Sequence, residues 1–229
     1  MGIAARPNGV RPELPALPQF MEDLPVDKRG YPVPWFVDWI KGEPEFRAMD
    51  GRKLKRAINE KLCWVCGKKL FEEKIFVIGP MCAVNRISSE PPSHRQCAEF
   101  SAMGCPFLSR PHMVRREDGM ENKKPPPGFM IERNPGVTLL WYTRRYELMN
   151  SAHIPEAGAH AGILFKLGRA FKAEWYAHGR EATRAEVMES IQSGLPLLYE
   201  ANDRQGRGIE GRREIDKQLA EALKLVPRR

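Results

Sequence analysis

The sequence lacks any apolar run near the roughly 20 residues that a helix needs to cross a bilayer. Its first residues, Met1 to Pro7, also lack the apolar core of a secretory signal. Both absences predict a cytoplasmic protein with no membrane partner. In the cytosol thiols stay reduced, so closely spaced cysteines bind metal more often than they form disulfides.

Signatures of several enzyme classes are missing as well. The chain contains no phosphate-binding loop of the Gly-Xaa4-Gly-Lys-Ser/Thr type and no Gly-Xaa-Ser-Xaa-Gly nucleophile motif. No His-Xaa-Glu precedes a Pro-Cys-Xaa-Xaa-Cys, the combination found in zinc deaminases. These absences argue against a P-loop nucleotide hydrolase, an α/β-hydrolase and a zinc deaminase.

Cysteine is scarce: the chain has five, an odd number that does not fit a framework of paired disulfides. Three of them and one histidine fall in two motifs with the same spacing. Cys63 and Cys66 are two residues apart, and His94 and Cys97 repeat that gap. Three sulfurs and one imidazole nitrogen form the ligand set of a closed tetrahedral zinc site. We therefore predict a structural Zn²⁺ held by these four residues.

The order of elements around the two motifs is that of a treble-clef zinc finger. The cysteine pair, closed by Gly67, predicts a tight turn. Residues 75–78 and 81–87 predict the two strands of a hairpin. A Ser-Xaa-Xaa-Gln capping box at Ser93 predicts a helix whose first turn presents the second pair of ligands on one side.

The predicted hairpin limits the chemistry of the site. Nucleases of the HNH type share the treble-clef frame and carry a histidine in this hairpin that activates water. Residues 76–87 contain no histidine, aspartate or glutamate, so the base that this reaction needs is missing. Cys82, within the hairpin, stays an alternative to His94 as the fourth ligand. The sequence also leaves open a ligand pocket formed by Asn85, Arg86 and Glu90.

Positive charge exceeds negative charge, with a formal net charge of +8 and a pI near 9.4. This excess favours an anionic partner, either nucleic acid or an acidic host protein. Asp50 predicts the N-cap of a helix through about 62, with an apolar stripe opposite a basic face. The predicted nucleic-acid or anion contacts are Arg52, Lys53, Lys55, Arg56, Arg86 and Arg95. A solvated helix face is the alternative interpretation of the basic residues.

We predict an α+β fold, with a treble-clef zinc finger subdomain and a small antiparallel sheet with C-terminal helices. Seven prolines among residues 1–34 predict an extended arm. The basic helix and zinc subdomain then occupy 35–108. A linker at 109–136 leads to a sheet-and-helix subdomain at 137–229.

Within the C-terminal subdomain, the hydrophobic pattern predicts strands at 137–143, 162–167 and 171–176, with a loop at 146–161. A second capping box at Thr183 predicts a helix that Gly194 closes, followed by a separate helical piece at 195–201. The tail from 205 onward predicts an amphipathic helix.

Several stretches resemble hypothetical proteins of bacteria and their phages. The resemblance rests on residues 63–67, 77–86 and 90–94 and extends to 31–36 and 182–187. The resemblance implies a small cytosolic protein that is encoded by a bacterium or by a phage. It identifies no catalytic residue in this chain.

These patterns favour a zinc-stabilised, basic nucleic-acid-binding protein without catalytic activity. Two alternatives stay open: a phage-encoded protein that binds and inhibits a host protein, and an enzyme with an unrecognised site between the subdomains. The sequence does not predict an oligomeric state.

Overall fold

The computed structural model describes residues 9–109, 127, 134–151 and 162–228. In these ranges the protein is a mixed α+β structure with antiparallel sheets, and none of their helices is long and apolar enough to cross a membrane. Three predicted features lie wholly or partly outside the described residues: the first eight residues of the arm, most of the linker, and most of the loop at 146–161.

The bounds of the regular elements are as follows. The helices are α1 Gly51–Glu60, α2 Pro80–Asn85, α3 Arg95–Gly104, α4 Pro106–Ser109, α5 Arg184–Arg204 and α6 Gly208–Leu223. The strands are β1 Val37–Ile40, β2 Glu43–Met49, β3 Lys74–Ile78, β4 Ile87–Ser88, β5 Thr138–Thr143, β6 Tyr146–Asn150, β7 Ile163–Leu167, β8 Lys172–Ala177 and β9 Arg180–Glu181.

The principal sheet has the strand order β3-β5-β8-β9 and is antiparallel throughout. Its β3 comes from the predicted zinc subdomain, and its β5 comes from the predicted C-terminal subdomain. Lys74 pairs with Thr143 at one end of these strands and Ile78 with Leu139 at the other. The two predicted subdomains therefore contribute neighbouring strands to one sheet.

Both faces of the principal sheet are covered by helices. All six residues of β5 are buried, as expected for a strand packed on both sides. Leu140 and Tyr142 point to the face on which Ala98 and Ala102 of α3 pack. The opposite face, which includes Trp141, forms the main core with residues from α2, α5 and α6.

Two smaller sheets accompany the principal one in the described chain. β4, β7 and β6 form a sheet in the order β4-β7-β6, and β1 and β2 form a hairpin. The strands at 138–143, 163–167 and 172–177 confirm the predicted ones. β6, however, occupies the start of the predicted loop at 146–161, and the sequence did not predict β1 and β2.

Helix α2 replaces the predicted return strand at 81–87, which is wrong except at residue 87, where β4 begins. The reason lies in the pair that precedes it. Gly79 is extended at the N-cap, and Pro80 takes the first helical position. The fixed φ of proline suits a helix, and a backbone N–H at this position would have no acceptor within the helix, so its absence costs nothing. Burial of Met81 and Val84 then packs the short helix into the main core.

The predicted capping box at Ser93 is also wrong. Helix α3 begins at Arg95, with His94 as an N-cap that makes no side-chain capping bond. Ser93 stays extended because its backbone exchanges two hydrogen bonds with Ile75, at 2.8 and 3.1 Å. This bridge ties the start of α3 to the principal sheet.

Helix α5 runs without interruption from Arg184 to Arg204, so the predicted end at Gly194 is wrong. Pro196 lies inside this helix even though it cannot donate to the preceding turn. The buried residues Ile191, Leu198 and Ala201 lie on both sides of this proline and belong to one buried face. We attribute the continuity of α5 to this burial, which outweighs the local cost of the proline.

The predicted start of α1 and the capping box of α5 are confirmed. The Asp50 carboxylate accepts a hydrogen bond of 2.8 Å from the Arg52 backbone N–H. At α5 the Thr183 hydroxyl accepts from the Glu186 backbone, and the Glu186 carboxylate accepts from the Thr183 backbone at 2.8 Å. Each helix therefore satisfies some of its free N–H groups within its own first turn.

Replacing Glu186 with glutamine should lower the free energy of unfolding at pH 7 by about 1 kcal/mol. Arg180 donates to both oxygens of this carboxylate and the Thr183 backbone donates to one, which lowers the pKa of Glu186 from 4.5 to about 2. A carboxyl with a lowered folded pKa stabilises the fold above its unfolded pKa, and the contribution is lost as the pH falls from about 4.5 to about 2.

Urea unfolding at several pH values measures this effect, and the difference between Glu186→Gln and wild type should shrink across that window. Glu189→Gln is the matched control, because Glu189 is exposed on the same helix and forms no ion pair with any described residue. Equal losses in the two variants at pH 7 would contradict the role assigned to the capping box.

Candidate metal centre

Three cysteines and one histidine from two distant parts of the chain meet in the interior. One ligand atom from each of Cys63, Cys66, His94 and Cys97 lies within 4.8 Å of all the others. All four residues are buried, with exposed fractions between 0% and 6%. Elsewhere in the described ranges no other group of three or more such side chains comes together in this way. The arrangement is consistent with a metal site.

The first pair of ligands sits on a tight turn that a glycine makes possible. The Gly67 N–H donates to the Cys63 carbonyl at 2.9 Å, and the Cys63 N–H donates to the Lys68 carbonyl at 2.8 Å. Gly67 has a φ of +72°, and a Cβ there would lie 2.6 Å from the Trp35 side chain. A larger residue would therefore strain the backbone and displace Trp35.

His94 is oriented by contacts on both ring nitrogens. Its Nε2 lies 2.8 Å from the Lys69 carbonyl oxygen, which can only accept, so Nε2 carries a proton. Its Nδ1 lies 3.3 Å from the Cys66 sulfur. In the neutral ring Nδ1 then has a free lone pair directed at the cluster, which is the tautomer that a metal ligand needs.

The start of α3 supplies further polar contacts to the sulfurs. The backbone N–H of His94 donates to the Cys63 sulfur at 3.3 Å. Cys97 lies in the first turn of α3 and is fully buried. The positive end of the helix dipole and this N–H both favour negative charge on the sulfurs.

The electrostatics of the cluster favour thiolate at one sulfur. Burial raises the pKa of Cys63, but hydrogen bonds from Cys66, Cys97 and His94 outweigh burial and lower it. The pKa of Cys97 is raised, first by its hydrogen bonds to Cys63 and Cys66 and then by burial. Burial lowers the pKa of His94, but its contacts with the Cys63 and Cys66 sulfurs outweigh this and raise it to about 10. A cation bound among these groups would displace the protons that they share.

The two remaining cysteines lie elsewhere. Cys82 is on α2 and packs against the main core, where burial raises its pKa to about 11. Cys105 follows α3, and burial raises its pKa as well. The structure thus places His94, and not Cys82, with the three clustered cysteines. Both remaining thiols sit in surroundings that make them poor nucleophiles.

The N-terminal arm covers the cluster. In the described part of the arm, Val10, Leu14 and Met21 are buried in one hydrophobic group with the three clustered cysteines. Phe20 stacks on the His94 ring with centroids 4.6 Å apart, and Phe71 lies 5.0 Å away on a tilted plane. The sequence predicted an extended arm but not its contact with the cluster. The prolines of the arm do not indicate that contact. The apolar residues between the prolines do indicate a buried face, and they are Leu14, Leu17, Phe20 and Met21.

Most of the predicted anion contacts have partners within the protein. Three of the arginines form exposed or partly exposed ion pairs, Arg52 with Asp50, Arg56 with Glu60 and Arg95 with Glu99. Lys53 donates to the Val37 carbonyl at 2.9 Å. Lys55 is exposed on α1 without an ion pair in the described chain.

The region of Asn85 and Arg86 forms a closed turn. The Asn85 side chain accepts from the Ile87 backbone at 2.9 Å, and the Ser88 hydroxyl donates to the Glu90 carbonyl at the same distance. Arg86 ends α2 in the left-handed conformation, with a φ of 57°. Local hydrogen bonds therefore account for the side chains of Asn85 and Ser88.

Replacing Met21 with alanine should lower the free energy of unfolding by about 2–4 kcal/mol. Met21 is 1% exposed and packs on the cysteine cluster, so truncation leaves a cavity at the contact between the arm and the cluster. Guanidinium unfolding measures the loss. Gln19→Ala, which changes an exposed residue of the same turn, should be nearly neutral. Equal stability of the two variants would show that the arm does not support the cluster.

The function of this centre has to be inferred from its own geometry. Comparisons with protein-family models, curated proteins and solved structures found no match to this chain. The resemblance to hypothetical proteins of bacteria and phages therefore stays a prediction.

Proposed function

We propose that Cys63, Cys66, His94 and Cys97 bind one Zn²⁺ that stabilises the fold. The observation that carries this proposal is the burial of four ligand atoms within 4.8 Å of one another. Sulfurs placed tetrahedrally around zinc at about 2.3 Å would be separated by about 3.8 Å. The side chains thus need to move little to reach that geometry. Thiolate and imidazole ligands select zinc over the harder Mg²⁺ and Ca²⁺.

The order of the ligands supports a treble-clef arrangement, with one departure from it. A turn supplies the first two ligands, and the start of α3 supplies the last two. Between them, β3 pairs with β5 and with Ser93, and α2 stands where the second hairpin strand was expected. The zinc frame would then be built into the principal sheet through β3.

A structural role follows from the closed environment. Four protein ligands fill a tetrahedral shell and leave no position for water or substrate. The arm and the rings of Phe20 and Phe71 cover the centre. Reduced thiols of this kind suit a cytoplasmic protein. The zinc is thus proposed as a part of the fold and not as a catalyst.

The zinc-stabilised protein is proposed to bind nucleic acid without catalysis. Its net charge of +8 supports an anionic partner. On α1, Arg52, Lys55 and Arg56 are exposed and would contact phosphates, together with Lys53, Arg86 and Arg95. Arg52 and Arg56 can contact phosphates even though they form ion pairs with Asp50 and Glu60. Exposed pairs contribute about 0–1 kcal/mol, so a phosphate can replace them.

Replacing Cys66 with serine should abolish zinc binding, because the substitution exchanges a thiolate ligand for a hydroxyl, which binds zinc poorly. Elemental analysis of purified protein should give about one zinc per chain for wild type and for the control variant Cys82→Ser. Undiminished zinc in Cys66→Ser, in a protein that still folds, would contradict the proposed ligand set.

Binding to labelled single-stranded and duplex oligonucleotides should weaken steeply as salt rises, since each phosphate contact releases counterions. Fluorescence anisotropy between about 50 and 200 mM salt measures the slope. Lys55→Glu should weaken binding, whereas Lys41→Glu makes the same charge change at the exposed β1–β2 turn and should have little effect. No binding by wild-type protein at low salt would overturn the proposed function.

A further inference from the structure

More than half of the described arginines form ion pairs with acids, and the exceptions are informative. Ten of the described arginines form ion pairs: Arg11, Arg29, Arg47, Arg52, Arg56, Arg95, Arg144, Arg180, Arg204 and Arg212. Of the others, Arg184 donates to the Pro227 carbonyl, and Arg207, Arg213 and Arg228 lie along or beyond α6. The remaining three are Arg86, Arg145 and Arg169, here called the arginine cluster.

The arginine cluster is assembled by three loops that meet at one point. The Arg86 carbonyl accepts from the Leu167 N–H at 2.8 Å, and the Arg145 carbonyl accepts from the Gly168 N–H at 3.0 Å. Arg169 follows Gly168 directly. Cα atoms joined in this way are about 5 Å apart, and adjacent ones are about 3.8 Å apart. The backbones of all three arginines therefore surround Leu167 and Gly168.

Buried side chains hold this meeting point in place. The Trp141 indole donates to the Gly168 carbonyl at 2.9 Å, and the Thr143 hydroxyl donates to the Arg145 carbonyl at 3.0 Å. Trp141 and Thr143 are 2% and 1% exposed. A Cβ on Gly168 would come within 2.3 Å of the Arg145 carbonyl oxygen, so the close approach of the two loops requires glycine. Buried hydrogen bonds therefore hold the backbone in place beneath side chains that form no ion pair within the described residues.

Charge at this point is positive and is not neutralised by the neighbouring acids. Glu147 faces Lys166 at 3.3 Å, and Glu221 accepts from Lys224, so each already has a lysine partner. The pKa of Glu221 is lowered first by Lys224 and further by the charges of Arg86 and Arg169, which places both arginines near α6. Arg145 and Arg169 are exposed, and none of the three pairs with an acid in the described chain.

We infer that Arg86, Arg145 and Arg169 form a binding surface for the sugar-phosphate backbone of a nucleic acid. Guanidinium groups match phosphate oxygens in geometry, and three of them on a fixed scaffold contact a chain of phosphates without prior loss of ion pairs. This inference rests on the proposed function and adds a contact surface formed by residues outside α1. The sequence pointed to Arg86, but the partners of Arg86 come from two other loops.

The test compares two double variants that remove the same charge. Arg145→Ala with Arg169→Ala should make the dependence of log Kd on log salt shallower by about 2 on duplex DNA, and should weaken binding to all sequences alike. Lys41→Ala with Arg213→Ala, at exposed positions that form no ion pair within the described residues, should leave that dependence close to wild type. Arg145→Lys with Arg169→Lys should retain most of the slope, and unfolding midpoints verify that all variants fold.

The possible results distinguish a failure of the arginine cluster as the contact surface from a failure of nucleic-acid binding itself. If wild type binds but the cluster variant keeps the wild-type slope, or if both alanine pairs lower it equally, the arginine cluster is not the contact and the proposed function stands. If wild type does not bind at low salt, both are overturned. The comparison of single-stranded RNA, single-stranded DNA and duplex DNA identifies which nucleic acid the surface takes.

Discussion

Three thiols and one imidazole are buried together at a single point of the structure. The N-terminal arm, the turn at Gly67 and the start of α3 pack around them and exclude water. The sulfurs of Cys63, Cys66 and Cys97 and the His94 ring contact one another, a carbonyl and a backbone N–H. Polar groups buried in this way are costly unless they are paired, and a cation pairs all four at once. The proposed zinc would therefore lower the cost of burying these four groups.

The cluster also joins parts of the chain that have few other reasons to meet. The arm packs on it from one side, and the backbone bridge between Ile75 and Ser93 fastens it to β3 from the other. Through β3 the cluster is linked to β5, and β5 in turn positions Trp141 and Thr143 beneath the arginine cluster. The candidate metal centre and the inferred nucleic-acid surface are therefore linked through neighbouring strands of one sheet.

The sequence allowed a good prediction of what depends on local chemistry. The cap of α1, the capping box of α5 and the strand at 138–143 all follow from residues close together in the chain. Predictions failed where distant contacts override local signals. Local sequence predicts an N-cap at Ser93, but backbone pairing with Ile75 keeps Ser93 extended. Local sequence also predicts a helix end at Gly194, but α5 continues because its buried face continues. The meeting of Arg86, Arg145 and Arg169 depends on tertiary hydrogen bonds and has no sequence signal.

The central claim is that a metal ion of tetrahedral S₃N coordination holds the fold together. X-ray absorption at the zinc edge of the purified protein tests it most directly, because the first shell reports both the kind and the number of ligand atoms. The account predicts three sulfurs at about 2.3 Å and one nitrogen at about 2.0 Å. A folded protein without zinc, or a shell of oxygen or of four sulfurs, would contradict it.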